Sequence, residues 1–254
     1  QGRLSVLPEG TLDFIFNTTL VANSTYKYFV VGMDQVYDNI KEIGFIQIFC
    51  DIIKMNIVDC IRDVIKKIKT DTNNFFTILL NGNIHKYFAS PLELTNYLIS
   101  LFIRKDKFMT LLDINLNVLF IDIAKYYYNY HTIAFTDRDT TVFLNTKSKD
   151  INHTYDDMEH IIVIYNKKTK HWNPIYKLNK NLYFTNNMIQ KKTFKHTDEL
   201  IVKLNTIMSD VKTGYNINYL DIFIKILNPK YKIKNILISK TTLCYAIIID
   251  KIGY

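Results

Sequence analysis

The spacing of apolar side chains changes once along this chain, and that change limits the folds open to it. Between residues 34 and 130 apolar residues recur at i, i+3 and i+4. Beyond residue 160 they cluster in short runs of five to seven, bounded by charged or Asn/Pro turns. The first pattern predicts helices with one buried face, and the second predicts strands. The expected class is therefore α+β, with a mostly helical first half and a second half of antiparallel strands with two helices.

Local signals place the elements. Val36, Ile40, Ile43, Ile46, Ile48 and Ile52 predict one helix over 34–54, with Asp34 as N-cap and Gly44 as a weak point inside it. Asn56 caps a second helix, with Val58, Ile61, Ile65 and Ile68 on one face. Lys66, Lys67 and Lys69 lie near its C-terminal end, where the helix dipole favours cations. Asn81-Gly82 between the apolar runs 75–80 and 84–88 reads as a hairpin turn. Ser90-Pro91 with Glu93 is a helix start running to about residue 103, and further helices are expected over 10–16, 105–112 and 116–130. A β-prone run ends at Gly32. Strands are expected over 161–165, 171–177, 182–185, 236–239 and 243–249, and helices over 197–212 and 217–227, the latter stopped by Asn228-Pro229. Polar, turn-rich stretches at 136–139 and 146–157 place a boundary between a helical domain, 1–145, and a basic α+β domain, 146–254. Gln1 in place of Met, and an end inside the apolar run closing at Tyr254, read as the limits of a piece of a longer polypeptide.

Charge divides at the same boundary. Residues 1–144 hold 14 basic and 15 acidic side chains; residues 145–254 hold 18 and 9, a net of +9. Such a split points to a polyanionic partner for the second half. Lys-rich, Asn-rich and Ile-rich usage also fits an A+T-rich genome, which would supply lysines without a partner. The basic residues that lie among aromatics are Lys167, Lys168, Lys170, Lys177, Lys180, Lys191, Lys192 and Lys195, with His171, Trp172 and Tyr183. Lysines beside exposed rings suit contact with a phosphate backbone plus stacking. A hairpin whose Trp172 and Tyr176 are core and whose lysines are merely solvated fits the same residues. The chain has four arginines, Arg3, Arg62, Arg104 and Arg138, and none lies in this stretch, so the reading is phosphate contact without base readout.

Other chemistries have weaker signals. Cys50 with His160 is the one candidate nucleophile pair for a cysteine hydrolase, yet Cys50 lies in an apolar helical run where a core thiol is the ordinary role. Three cysteines, widely spaced, argue against a disulfide framework and for a reducing, intracellular setting. Six scattered histidines show no metal-ligand spacing. Asp137-Arg138-Asp139 and Asp156-Asp157 could take Mg²⁺ but read better as loop residues or caps. There is no phosphate-cradling glycine motif and no apolar run of the roughly 18 residues that span a membrane. No enzymatic activity and no cofactor are expected.

Several segments, in order, resemble the large subunit of the early transcription factor of nucleocytoplasmic large DNA viruses. Gly2-Arg3-Leu4-Ser5-Val6-Leu7-Pro8 is similar to that family's Gly-Arg element. Cys60-Ile61-Arg62-Asp63 is similar to a helix core that follows it. Asn81-Gly82-Asn83-Ile84 with Phe88 resembles its Asn-Gly-Asn turn, and Trp172-Asn173-Pro174-Ile175-Tyr176 after 161–165 resembles a strand leading to Glu-Pro-Ile-Tyr. The last nineteen residues resemble a late strand pair ending Ile-Gly-Phe. Asn173 stands where the family has Glu, and the family's Cys-Cys-Phe segment upstream of the Gly-Arg element is absent. The resemblance implies a DNA-binding, non-catalytic subunit of a heterodimer. It would act as an activator at early promoters in the virion and host cytoplasm, and help recruit the viral RNA polymerase. A virion structural or scaffold protein without a nucleic-acid role is the alternative.

Overall fold

The computed structural model describes residues 4–6, 28–38, 40–106, 112, 114–136, 142–143, 157–166, 169–178, 189–202, 231–238 and 245–251. Its strands are β1 (Leu4–Val6), β2 (Tyr28–Val31), β3 (Val36–Tyr37), β4 (Ile40–Lys41), β5 (Tyr130–Thr136), β6 (Val142–Phe143), β7 (Glu159–Asn166), β8 (His171–Leu178), β9 (Ile189–Lys191), β10 (Tyr231–Ile238) and β11 (Tyr245–Lys251). Its α-helices are α1 (Gly44–Ile53), α2 (Ile57–Lys69), α3 (Pro91–Leu98), which continues as a π-helical stretch Ile99–Arg104, and α4 (Leu116–Tyr128). The class is α+β, as the two periodicities predict. The expected helices over 10–16 and 217–227 and the strand over 182–185 lie outside the described residues, as does most of those over 105–112 and 197–212; within the last, 199–202 are helical.

Among the described residues, seven strands form one mixed sheet in the order β1-β2-β8-β7-β5-β6, with β9 also on β8. β7–β8, β8–β9 and β10–β11 pair antiparallel, as expected of the second half, while β7 also runs parallel to β5 of the first half, Tyr130 to Thr136 against Glu159 to Tyr165. The boundary expected near residue 145 runs through this sheet: β1, β2, β5 and β6 come from one side of it and β7, β8 and β9 from the other. Composition changes there, but backbone pairing does not stop. β8 is the junction. Its first half pairs with β7, its second with β2, and its end with β9.

The helices cover one face of the sheet. Phe45 of α1 meets the Trp172 ring edge-on at 6.1 Å, and Trp172 also packs on Tyr165 at 4.9 Å. Ile46, Ile48 and Phe49 of α1, Ile61 and Val64 of α2, Leu94 and Leu98 of α3 and Leu119, Phe120 and Ile123 of α4 complete a core with Ile161 and Val163 of β7. Side chains alternate along a strand, so His160, Ile162 and Ile164 take the other face, where they too are buried.

Caps explain where helices begin. The Asn56 carboxamide oxygen accepts from the Asp59 N–H at 2.9 Å, and the Ser90 hydroxyl accepts from the Glu93 N–H at 3.3 Å while Glu93 accepts from the Ala89 N–H at 2.8 Å. α1 has no local side-chain cap. Its cap comes from α4: buried Asn117 accepts from the Phe45 N–H at 2.8 Å and donates to the Glu42 carbonyl. The single helix expected over 34–54 is thus a short β3–β4 hairpin followed by α1, and Gly44 is the helix's first residue rather than its weak point.

The hairpin expected at Asn81-Gly82 is corrected as well. Phe75–Gly82 is a 3₁₀ helix and Ile84–Lys86 another. The 75–80 run does not alternate: Phe76, Leu79 and Leu80 share a buried side. Asp71 accepts from the Phe76 N–H at 3.0 Å and Asp122 from the Leu80 N–H at 2.7 Å, which holds the segment against the helices. Gly82, with φ +79°, serves the helical exit that the Asn-Gly pair also suits.

Candidate nucleic-acid interface

The basic stretch singled out in the sequence is built around β8, β9 and the segment that follows. Lys170 lies in the β7–β8 turn, Lys177 near the end of β8, Lys191 at the end of β9, and Lys192 and Lys195 just beyond. Lys177 and Lys191 are register partners on adjacent strands, so their side chains share a face. Lys167, Lys168 and Lys180 lie outside the described residues.

Three of these cations are claimed by carboxylates, two of them far away in sequence and one seven residues on. Lys170 Nζ is 2.8 Å from Glu42 Oε1 in an exposed pair, and the hydrogen bond to Glu42 raises the Lys170 pKa. Lys191 Nζ is 2.6 Å from Asp198 Oδ1. Partial burial opposes ionisation of Asp198, but the Lys191 ammonium, the Lys195 N–H and the charges of Lys191 and Lys177 together hold its carboxyl below the usual range. Lys192 Nζ is 2.7 Å from Asp51 Oδ1 and lies 5.8 Å over the Tyr176 ring. Tyr176 donates to the other Asp51 oxygen at 2.6 Å. Burial first, and that carboxylate second, push the Tyr176 phenol well above its ordinary pKa. Among the described residues, Lys177 and Lys195 enter no ion pair.

Trp172 does not offer its ring to a base. It is 9% exposed, wedged between Phe45 and Tyr165. Its backbone is held from the side. The Trp172 N–H donates to Gln35 Oε1 at 2.9 Å, and Gln35 Nε2 donates to the Trp172 carbonyl at 2.9 Å and the Met33 carbonyl at 2.7 Å. The Gln35 amide thereby continues the edge of β8 beyond the last residue that β2 supplies. Tyr176 is likewise core, so neither of these two rings is open for stacking, and Tyr183 lies outside the described residues. The lysine partners Glu42 and Asp51 carried no signal in the sequence, because 128 and 141 residues separate them from Lys170 and Lys192.

Among the described residues the alternative chemistries find no assembled site. Cys50 and Cys60 are buried next to each other between α1 and α2, and the Cys50 contact and burial push the Cys60 thiol far up, which disfavours the thiolate a nucleophile needs. His160 lies on the opposite face of β7 from that helix-side core. No group of three or more His, Cys, Asp or Glu side chains among the described residues could hold a metal ion, and Asp137, Asp139 and Asp156 lie outside them. No helix of the described residues is long and apolar enough to cross a membrane. No protein-family profile, curated protein or solved structure matches the chain.

Proposed function

We propose that this chain is a non-catalytic, DNA-contacting piece of a viral early transcription factor subunit, which grips the phosphate backbone of double-stranded DNA through the β8–β9 lysines. The observation that carries the reading is the placement of Lys177 beside Lys191, with Lys192 and Lys195 a few residues on and no Arg in the stretch. Ammonium groups on a strand face suit phosphate oxygens, and without Arg they have little means to discriminate base edges. The promoter, a partner subunit in a heterodimer, the recruited viral RNA polymerase and a place in virion and host cytoplasm follow from the sequence resemblance alone.

Because Lys170, Lys191 and Lys192 already face carboxylates, the interface works with few net contacts, and its affinity is modest with a correspondingly shallow salt dependence. Each phosphate neutralised contributes a slope of about −0.9 in log affinity against log salt. The test is fluorescence anisotropy with short duplexes of unrelated sequence at several salt concentrations. Lys177→Glu/Lys195→Glu is expected to weaken binding equally for all duplexes and to flatten the slope by about 2. Unchanged binding at low salt sinks the reading and leaves a scaffold role as the better account.

A further inference from the structure

His131 of β5 and His160 of β7 are register partners in the parallel ladder, and both are buried, at 4% and 2% exposure. Their rings stand perpendicular with centroids 5.2 Å apart, and the two Nδ1 atoms face each other at 3.1 Å. On the same face lie Ile133 and Ile162. His160 is held on its backbone too, exchanging N–H···O bonds with Phe194 at 2.7 and 2.9 Å.

Two nitrogens at that separation have room for one proton between them. One ring donates and the other accepts. Protonating both imidazoles would set two N–H groups nose to nose and two positive charges side by side in a buried site. The packed pair therefore carries at most one positive charge, and it titrates as a unit. In the unfolded chain both rings protonate below about pH 6.5. Among the described residues, titratable groups on the surrounding elements include Tyr130 and Glu159, register partners on the opposite sheet face, where Glu159 accepts from the Thr193 hydroxyl, and Tyr28, whose ring packs on Phe194 and lies near Glu199 and Asp198. Asp157 leads into β7, and Lys195, which follows Phe194, is exposed.

We infer that the His131–His160 pair is an acid-sensitive clasp on the β5–β7 ladder, closed at neutral pH and forced apart when both rings take up protons. The sign follows from proton counting. As pH falls toward about 5 the two rings of the unfolded chain approach two bound protons while the folded pair holds at most one, so the folding equilibrium constant comes to fall about tenfold per pH unit. The inference stands independently of any nucleic-acid role.

Urea unfolding between pH 7.5 and 5 tests it, comparing the natural chain with His131→Asn/His160→Asn, whose amides pair without titrating. The natural chain is expected to lose stability more steeply by that tenfold factor per unit, and parallel pH profiles would overturn the clasp. Imidazole ¹⁵N shifts in the folded natural chain give a readout that does not depend on the variant folding. At most one protonation of the pair is expected before acid unfolding; two protonations near the ordinary histidine value in the folded protein refute the inference.

Discussion

Gly44→Ala is the substitution whose outcome separates local propensity from packing. In an isolated helix, replacing Gly by Ala gains up to about 1 kcal/mol. Here an added Cβ would lie 1.9 Å from Gln35 Oε1, 2.8 Å from its Cδ and 2.9 Å from the Trp172 Cβ. The Gln35 amide is the end of a flexible side chain and can swing away. If it does, the Trp172 N–H and carbonyl both lose the partner that completes the β8 edge. Leaving a part-buried backbone group without its bond costs about 1–3 kcal/mol. Two such groups, less the propensity gain, give a net loss of about 1–5 kcal/mol, and the close Trp172 Cβ adds strain. With a urea m-value of about 2–3 kcal/mol/M the unfolding midpoint should fall by roughly 1 M at unchanged m. The coupling is readable in a cycle: on a Gln35→Ala background the added methyl meets no amide, and the penalty of Gly44→Ala should shrink by more than half. A Gly44→Ala protein as stable as the natural one would refute the reasoning, because helix propensity would then have outweighed the contact.

Two further outcomes follow from the helical half. Asn117→Ala removes the cap that α4 lends to α1 and leaves the Phe45 N–H and the Glu42 carbonyl short of a partner. A loss of about 2–3 kcal/mol is expected by denaturant titration, and a surface-like loss below about 0.5 kcal/mol would contradict the assigned role. Cys50 and Cys60 should resist a thiol-reactive dye in the folded protein and label only as it unfolds. Fast native labelling would show that their burial is wrong and reopen the hydrolase reading.

The parts legible in the sequence are those settled within one helical turn or one hairpin. Asn56 and the Ser90-Pro91-Glu93 start act on groups three residues away, and β7 and β8 are joined by a four-residue turn. What escaped depends on distant partners. Asn117 caps a helix 72 residues upstream, and Gln35 completes a strand 137 residues downstream. The chain passes from helix to strand at Asn129, in the left-handed region at φ +62°, with no Gly or Pro between Leu116 and Thr136 to mark the change, so β5 went unread. Asn-Gly at 81–82 misled because a left-handed residue ends a helical turn as readily as it makes a hairpin. For the lysines, residue type was legible and availability was not, since Glu42, Asp51 and Asp198 decide how much of that charge faces outward.

The junction at β8 has a consequence for the order in which the chain can assemble. β2 is made near residue 30, but β8, its partner on the side away from β1, ends at Leu178. During synthesis the helices, whose caps and cores are mostly complete once Tyr128 has emerged, can form while β2 has only β1 beside it. Closing that ladder means joining segments about 145 residues apart, a loop whose entropy is lost before the pairing repays it. Folding should therefore be limited by the arrival of the β7–β8 hairpin, and a chain stopped short of it would keep its helices and present β2 as an open edge to other molecules.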